Sequence, residues 1–256
     1  MRVMTFNIRF ENDRDGDNGW IFRREQAASV IMAYSPWVLG TQEGTPNQLQ
    51  YLGEHLPGYA MHAIGRPPED TTCQYATLFY QSQHLDLIDG AEFWLSTTPR
   101  VHRSKDWDSA FPRMMSWACL REKRSGELLW AVVTHLDHIG GQARIRQGEL
   151  IRSWLHQCRG AAVLMGDFND DPGSAVHQLL TAPATELRDS WQVLGNGEGV
   201  ESMTHHDFQG NPNKGRLDWI LVSPHFRILA AEIVRGHRNH RFPSDHFPYW
   251  VDLERV

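Results

Sequence analysis

Cysteine is scarce and scattered in this chain. Cys73, Cys119 and Cys158 are the only three in 256 residues, and none belongs to a Cys-x-x-Cys pair. A disulfide framework and a cysteine-based zinc site are therefore disfavoured, and a reducing compartment is favoured. No basic segment leads into an apolar leader; Met1 runs directly into the strand-like Val3-Met4-Thr5-Phe6. No apolar run is long enough to span a bilayer. The expectation is a cytoplasmic protein without membrane insertion and without an obligate protein partner. Excess positive charge is also missing: 25 Lys and Arg stand against 31 Asp and Glu, a formal net charge of −6. That balance argues against a broad footprint for long nucleic acids. Low-complexity linkers and internal repeats are absent too, so residues 1–256 read as a single domain.

What is present is ordinary globular material, 41% hydrophobic and 22% charged, with ten Trp. Apolar clustering predicts strands at 2–8, 37–40, 59–64, 75–80, 93–95, 114–121, 128–135, 161–165, 217–222, 228–234 and 247–253. Helical spacing predicts helices over 23–34, from a Thr45 cap with Pro46 at the first position, over 141–158 and over 174–180. Many strands with few helices point to one α/β domain whose two sheets pack face to face under helices.

Six polar clusters end these strands: Asn7; Glu43; His135 with Asp137 and His138; Asp167 with Asn169; Asp218; and Asp245 with His246. Each has a bland reading alone. Asn7 ends a turn, Glu43 caps a helix, Asp167 sits in a solvated turn, Asp218 partners Arg216, and a lone histidine is structural. The set is harder to dismiss, because burying such groups beside apolar strands is costly unless they bind a cation or do chemistry. Oxygen donors at Asn7, Glu43, Asp167, Asn169 and Asp245 make a ligand pool for a hard cation such as Mg²⁺ or Mn²⁺, which neutralises charge on a phosphoryl group.

Thr5-Phe6-Asn7, Thr41-Gln42-Glu43, Thr134-His135-Leu136, Gly166-Asp167-Phe168-Asn169, Leu217-Asp218-Trp219-Ile220 and Ser244-Asp245-His246 occur in an order that resembles the endonuclease/exonuclease/phosphatase superfamily. The resemblance implies a four-layer α/β/β/α sandwich with two mainly antiparallel sheets, as in pancreatic-type deoxyribonucleases. It implies Glu43 as principal metal ligand, supported by Asn7 and Asp245. Asp167 would orient or deprotonate water, Asn169 would bind the scissile phosphate, and His246, oriented by Asp218, would contact phosphate with His135. The activity implied is divalent-metal-dependent phosphoester hydrolysis, foremost a phosphodiesterase or nuclease on nucleic-acid ends or short single strands. A phosphatase of a small sugar, lipid or inositol phosphate is the alternative, and a non-catalytic phosphate-binding module ranks behind both. Thr134-His135-Leu136-Asp137-His138 resembles a bacterial branch related to deadenylase-like phosphodiesterases. Many relatives carry a glutamate just before the tyrosine of the 75–80 strand, where this chain has Gln74, which leaves Asp137 to support His135.

Further candidate substrate contacts are Arg144, Asp137, His138, Lys105 and Arg113, the cations offering phosphate partners. Exposed cations are common on any surface, and Arg146 reads equally as a solvated helix face. His205-His206 reads as a substrate-facing or solvated loop ahead of a second metal site. Trp107 reads as buried under its loop rather than stacking a base. The string His135-Leu136-Asp137-His138 also resembles part of a metallo-β-lactamase zinc motif, but Val133 stands where that motif needs histidine.

Overall fold

The computed structural model describes residues 1–238 and 241–256. In chain order the elements are β1 (Arg2–Asn7), α1 (Trp20–Tyr34), β2 (Val38–Gly44), α2 (Pro46–His55), β3 (Tyr59–His62), β4 (Tyr75–Gln81), β5 (Leu85–Trp94) and β6 (Met114–Glu122). Then come β7 (Leu128–His135), α3 (Gly141–Leu155), β8 (Ala161–Asp167), α4 (Ala175–Leu180), β9 (Arg188–Asp189), α5 (Ser190–Val193), β10 (Asp218–Val222), β11 (Phe226–Ile233) and β12 (Tyr249–Arg255). One sheet runs β11-β12-β1-β2-β4-β3 and the other β5-β6-β7-β8-β10-β9. Each has one parallel pair, β1 with β2 and β7 with β8; the other pairings are antiparallel.

Strand alternation builds the layers. Along β7, Leu129, Ala131 and Val133 face the core between the sheets, while Val132 faces the other way. Along β10, Ile220 and Val222 face that core, while Trp219 and Leu221 join Ile151 of α3 and Val176 of α4. Trp20, Ala27 and Ile31 of α1 and Leu49 and Leu52 of α2 cover the first sheet. The result is an α/β/β/α sandwich. Gly40 lets the sheets approach, since a Cβ there would lie 2.8 Å from Val133 Cγ2 and 2.9 Å from Met165 Cγ. Gly166 is equally constrained: its Cβ would fall 2.0 Å from the Thr134 carbonyl oxygen.

Several boundaries differ from the sequence expectation. β5 spans ten residues, not three, because it is an edge strand whose Asp86, Asp89 and Gly90 break the apolar alternation, with a bulge between Leu87 and Asp89. β12 begins only after Pro248, which has no N–H for a ladder. α1 starts at Trp20, buried in the core, before the predicted residue 23. Thr45 and Gln48 form the expected capping box on α2. No helix among the described residues is long and apolar enough to cross a membrane.

Topology brings the polar clusters together. β12 runs antiparallel to β1, with Thr5 opposite Tyr249, so the segment before β12 lies beside the end of β1. β10 runs antiparallel to β8 with Asp218 opposite Asp167, and His135 lies opposite Asp167 on the other flank. All six clusters therefore meet at one edge of the sandwich.

Candidate active site

A cavity of about 380 Å³ opens at this edge, lined by Glu43, His135, Asp167, Asn169, Asp245 and His246 among others. Glu43 reaches it from a left-handed backbone (φ 65°), where the β2–β4 register skips between Thr41 and Gly44. Such a bulge re-aims a side chain. Asn7 is fully buried and its Nδ2 donates to Glu43 Oε1 (3.1 Å) and Asp167 Oδ2 (2.9 Å). Its Oδ1 accepts from the Arg9 backbone N–H (3.0 Å). Asn7 thus presents its NH₂, not its oxygen, to the carboxylates and braces them. The Phe10 N–H donates to Glu43 Oε2 (3.0 Å). The buried Arg23 of α1 fixes this stretch by donating to the carbonyls of Ile8, Arg9 (2.7 Å) and Pro243 (3.1 Å).

Asp167 is almost wholly buried; burial and then Asp218 push its carboxyl above the usual range. Burial pulls His246 down, but Asp218 and Asp167 outweigh it and lift the imidazole to about 10. Asp218 Oδ2 accepts the His246 Nδ1–H at 2.8 Å, and His246 Nε2 stands 3.7 Å from Asp167 Oδ2. Burial opposes the charge of Asp245, yet His246 and Arg9 hold it below the usual range. Ser244 Oγ donates to the Asn7 carbonyl (2.7 Å), tying this segment to β1.

His135 has different company. Asn169 Nδ2 donates to the Leu136 carbonyl (3.0 Å) and to His135 Nε2 (2.9 Å). Arg113 Nη1 lies 3.0 Å from His135 Nδ1, and Arg113 Nη2 donates to His138 Nδ1 (3.1 Å). Burial and then Arg113 keep His135 far below the ordinary histidine value, and His138 is lowered for the same reasons. His135 is thus held neutral, with the Arg113 guanidinium and the Asn169 amide at its ring nitrogens and Asp167 Oδ2 3.5 Å from Nε2. The expectation that Asp137 supports His135 is corrected: Asp137 is fully buried and faces Arg113 Nε at 3.6 Å. It accepts the N–H groups of Ala110, Phe111, Ile139 and Gly140, so it clamps two loops.

His138 and Arg113 line the cavity, as does Gln74; Lys105 and Arg144 do not. Lys105 Nζ turns to the Ala110 carbonyl (3.0 Å), and Arg144 bonds Asp170 (2.9 Å) and the Asp137 carbonyl (3.0 Å). Residues that sequence reasoning missed are Arg9, Phe10, Phe111 and Lys214, all on the cavity wall. Arg9 and Phe10 follow the recognisable strand end at Asn7; Phe111 and Lys214 lie in loops without periodicity.

Two helix-covered mixed sheets, with carboxylate, amide and imidazole groups meeting at one edge, define a phosphoesterase fold. The chain belongs to the endonuclease/exonuclease/phosphatase family, whose model matches residues 4–246; its members are hydrolases acting on phosphoesters. No curated protein matches the sequence. Among solved structures, a mannosyl-6-phosphatase of Bacteroides thetaiotaomicron is 30% identical, covering 99% of both chains with a TM-score of 0.87. An endonuclease/exonuclease/phosphatase from Bacteroides vulgatus is 32% identical over 100% of this chain and 98% of that one, with a TM-score of 0.91. The human nocturnin catalytic domain, 22% identical, shares the fold over 100% of this chain and 93% of its own, with a TM-score of 0.77.

Proposed function

We propose that this chain is a divalent-metal-dependent phosphomonoesterase acting on a small phosphorylated molecule, a sugar phosphate foremost. The observation that carries this reading is the composition of the cavity. Three cations, Arg9, Arg113 and Lys214, share about 380 Å³ with Phe10 and Phe111. That volume lies at the small end of the ~300–1,000 Å³ typical of small-molecule sites. Clustered cations suit a dianionic terminal phosphoryl group, and aromatic rings suit the apolar face of a sugar. The similarity to a mannosyl-6-phosphatase supports the same class. It moves the phosphatase ahead of the nuclease expected from sequence. A phosphodiester at a nucleic-acid end is the second reading, favoured by the half-exposed Phe111 as a stacking face.

The donor set fits Mg²⁺ or Mn²⁺, which are held by one or two carboxylates plus substrate oxygens. Glu43 and Asp245 would hold the ion, with Asn7 bracing Glu43. When bound, the ion would neutralise charge on the phosphoryl oxygens. Asp167, a buried carboxylate with a raised pKa, takes a proton from the attacking water as the water oxygen bonds to phosphorus; the ester P–O bond breaks and the departing alkoxide takes up a proton from solvent to leave as the alcohol. The His246 imidazolium, held in orientation and kept charged by Asp218, hydrogen-bonds the phosphoryl oxygens, and Asn169 does so by exchanging its bond to the His135 ring for one to phosphate. Arg113, clamped by Asp137, supplies positive charge beside the neutral His135.

The test is a panel of hexose 6-phosphates, nucleoside monophosphates, an aryl phosphodiester and labelled oligonucleotides with Mg²⁺ or Mn²⁺. Phosphate release from a sugar phosphate at least tenfold faster than diester cleavage supports the reading. Preferred cleavage of oligonucleotide ends would replace it with the second.

A further inference from the structure

The segments around His205 and His246 pair as a short antiparallel ladder at the cavity. The His206 N–H donates to the Asp245 carbonyl (2.8 Å) and the Phe247 N–H to the Thr204 carbonyl (2.8 Å), setting His205 opposite His246. The two rings stand perpendicular with centroids 4.9 Å apart. Each has an oxygen at Nδ1: Asn213 Oδ1 at 2.6 Å for His205 and Asp218 Oδ2 at 2.8 Å for His246. An oxygen acceptor at Nδ1 fixes a proton there and turns Nε2 toward a ligand, the arrangement that orients metal-binding histidines; at His246, which Asp218 and Asp167 hold as the imidazolium, an entering ion displaces the Nε2 proton. A ring nitrogen of each histidine and a carboxylate oxygen of Asp245 lie within 4.8 Å of one another. All three side chains line the cavity, and His205 is 9%, Asp245 6% and His246 5% exposed.

We propose that His205, His246 and Asp245 form a second metal site, selective for a borderline transition ion such as Zn²⁺ or Co²⁺ over Mg²⁺. Two imidazoles and one carboxylate are a donor set for transition ions, whereas Mg²⁺ takes oxygen. The local charge points the same way. Asp245 is the single carboxylate of the set, it faces Arg9 at 3.8 Å, and Lys214 stands on the same wall. A hard ion held by charge alone gains little there, while nitrogen donors bind a softer one through covalency. Three protein ligands leave coordination positions open to water or a phosphate oxygen. The site shares Asp245 with the oxygen-donor set around Glu43 but depends on His205, which that set does not use. Its occupancy would also occupy His246 and oppose hydrolysis; that consequence alone rests on the function proposed above.

The experiment uses the full chain, stripped of metal and titrated with Co²⁺ in excess Mg²⁺, followed by visible absorption and calorimetry. The expected result is one equivalent of Co²⁺ that Mg²⁺ does not displace, with a spectrum of mixed nitrogen and oxygen ligation. His205→Gln should weaken that binding at least tenfold. Asn213→Ala, an exposed loop change that frees the His205 ring, should weaken it about 10- to 100-fold. Circular dichroism checks folding, and if His205→Gln does not fold, Asn213→Ala decides. Co²⁺ that Mg²⁺ readily displaces, or folded variants that bind it as tightly as the wild type, would overturn the site. Phosphate release is not part of this readout, so an inactive enzyme with an intact Co²⁺ site would count against the proposed function and not against the site.

Discussion

Asp137 should hold up both the fold and the cavity wall, and its removal has a calculable cost. Its Oδ1 accepts from Ile139 N–H (3.1 Å) and Gly140 N–H (2.7 Å); its Oδ2 accepts from Ala110 N–H (3.0 Å) and Phe111 N–H (3.1 Å). Burial opposes ionisation, but these four donations outweigh it and lower the carboxyl from 3.8 to about 2. At about 1.4 kcal/mol per unit, ionised Asp137 contributes about 2 kcal/mol to stability at neutral pH. The folded value is depressed, so this contribution is present above the unfolded value and is lost as pH falls from about 4 through about 2. Asp137→Asn keeps the shape but points an NH₂ at one pair of N–H groups. It should cost about 2 to 4 kcal/mol at pH 7, measured by urea unfolding monitored through tryptophan fluorescence. The gap from wild type should shrink by roughly half near pH 3. A variant as stable as wild type at pH 7, or a gap independent of pH, would refute the reasoning.

Other outcomes follow from the same contacts. Asp167→Asn should lower turnover by about 10³-fold or more while the melting temperature stays level or rises, because a buried carboxylate is removed; thermal unfolding beside steady-state rates checks it. Arg113→Met should reduce kcat/KM on a sugar phosphate about 100-fold, with Arg113→Lys recovering only part, since lysine restores charge but not the fork. Asp189 bonds buried Arg216 (2.9 Å) and His177 (2.9 Å), so Asp189→Asn should cost about 3 kcal/mol in urea unfolding. His246, raised from 6.5 to about 10, contributes stability that is full below the unfolded value and declines as pH rises through the folded one. The alkaline decline in melting temperature should flatten in Asp218→Asn.

The strand ends were legible because apolar runs stop abruptly at polar residues. The Ala161–Met165 stretch delivers Asp167, and the stretch beginning at Leu217 carries Asp218 opposite it. What could not be read was side-chain direction in loops. Asp137 and His138 are sequence neighbours, yet one is sealed behind Arg113 and the other lines the cavity. Arg144 lies on a helix whose periodicity permits a phosphate contact, but Asp170 and the Asp137 carbonyl take its guanidinium. Arg23 stands at the start of the helix expected over 23–34; only the fold shows it buried and fixing the backbone at Arg9. His205 was ambiguous by sequence because its partner, His246, is distant in the chain and meets it only across the ladder.

The central claim is that Glu43 and Asp245 hold a divalent ion at which a small phosphomonoester is hydrolysed. Inorganic phosphate release from a hexose 6-phosphate, followed in chelator-stripped protein before and after Mg²⁺ is added, tests it most directly. The account predicts no turnover before addition, saturable turnover after it, and loss of that turnover in Glu43→Gln with the fold retained. Turnover that survives chelation, or a Glu43→Gln variant as active as wild type, would contradict it.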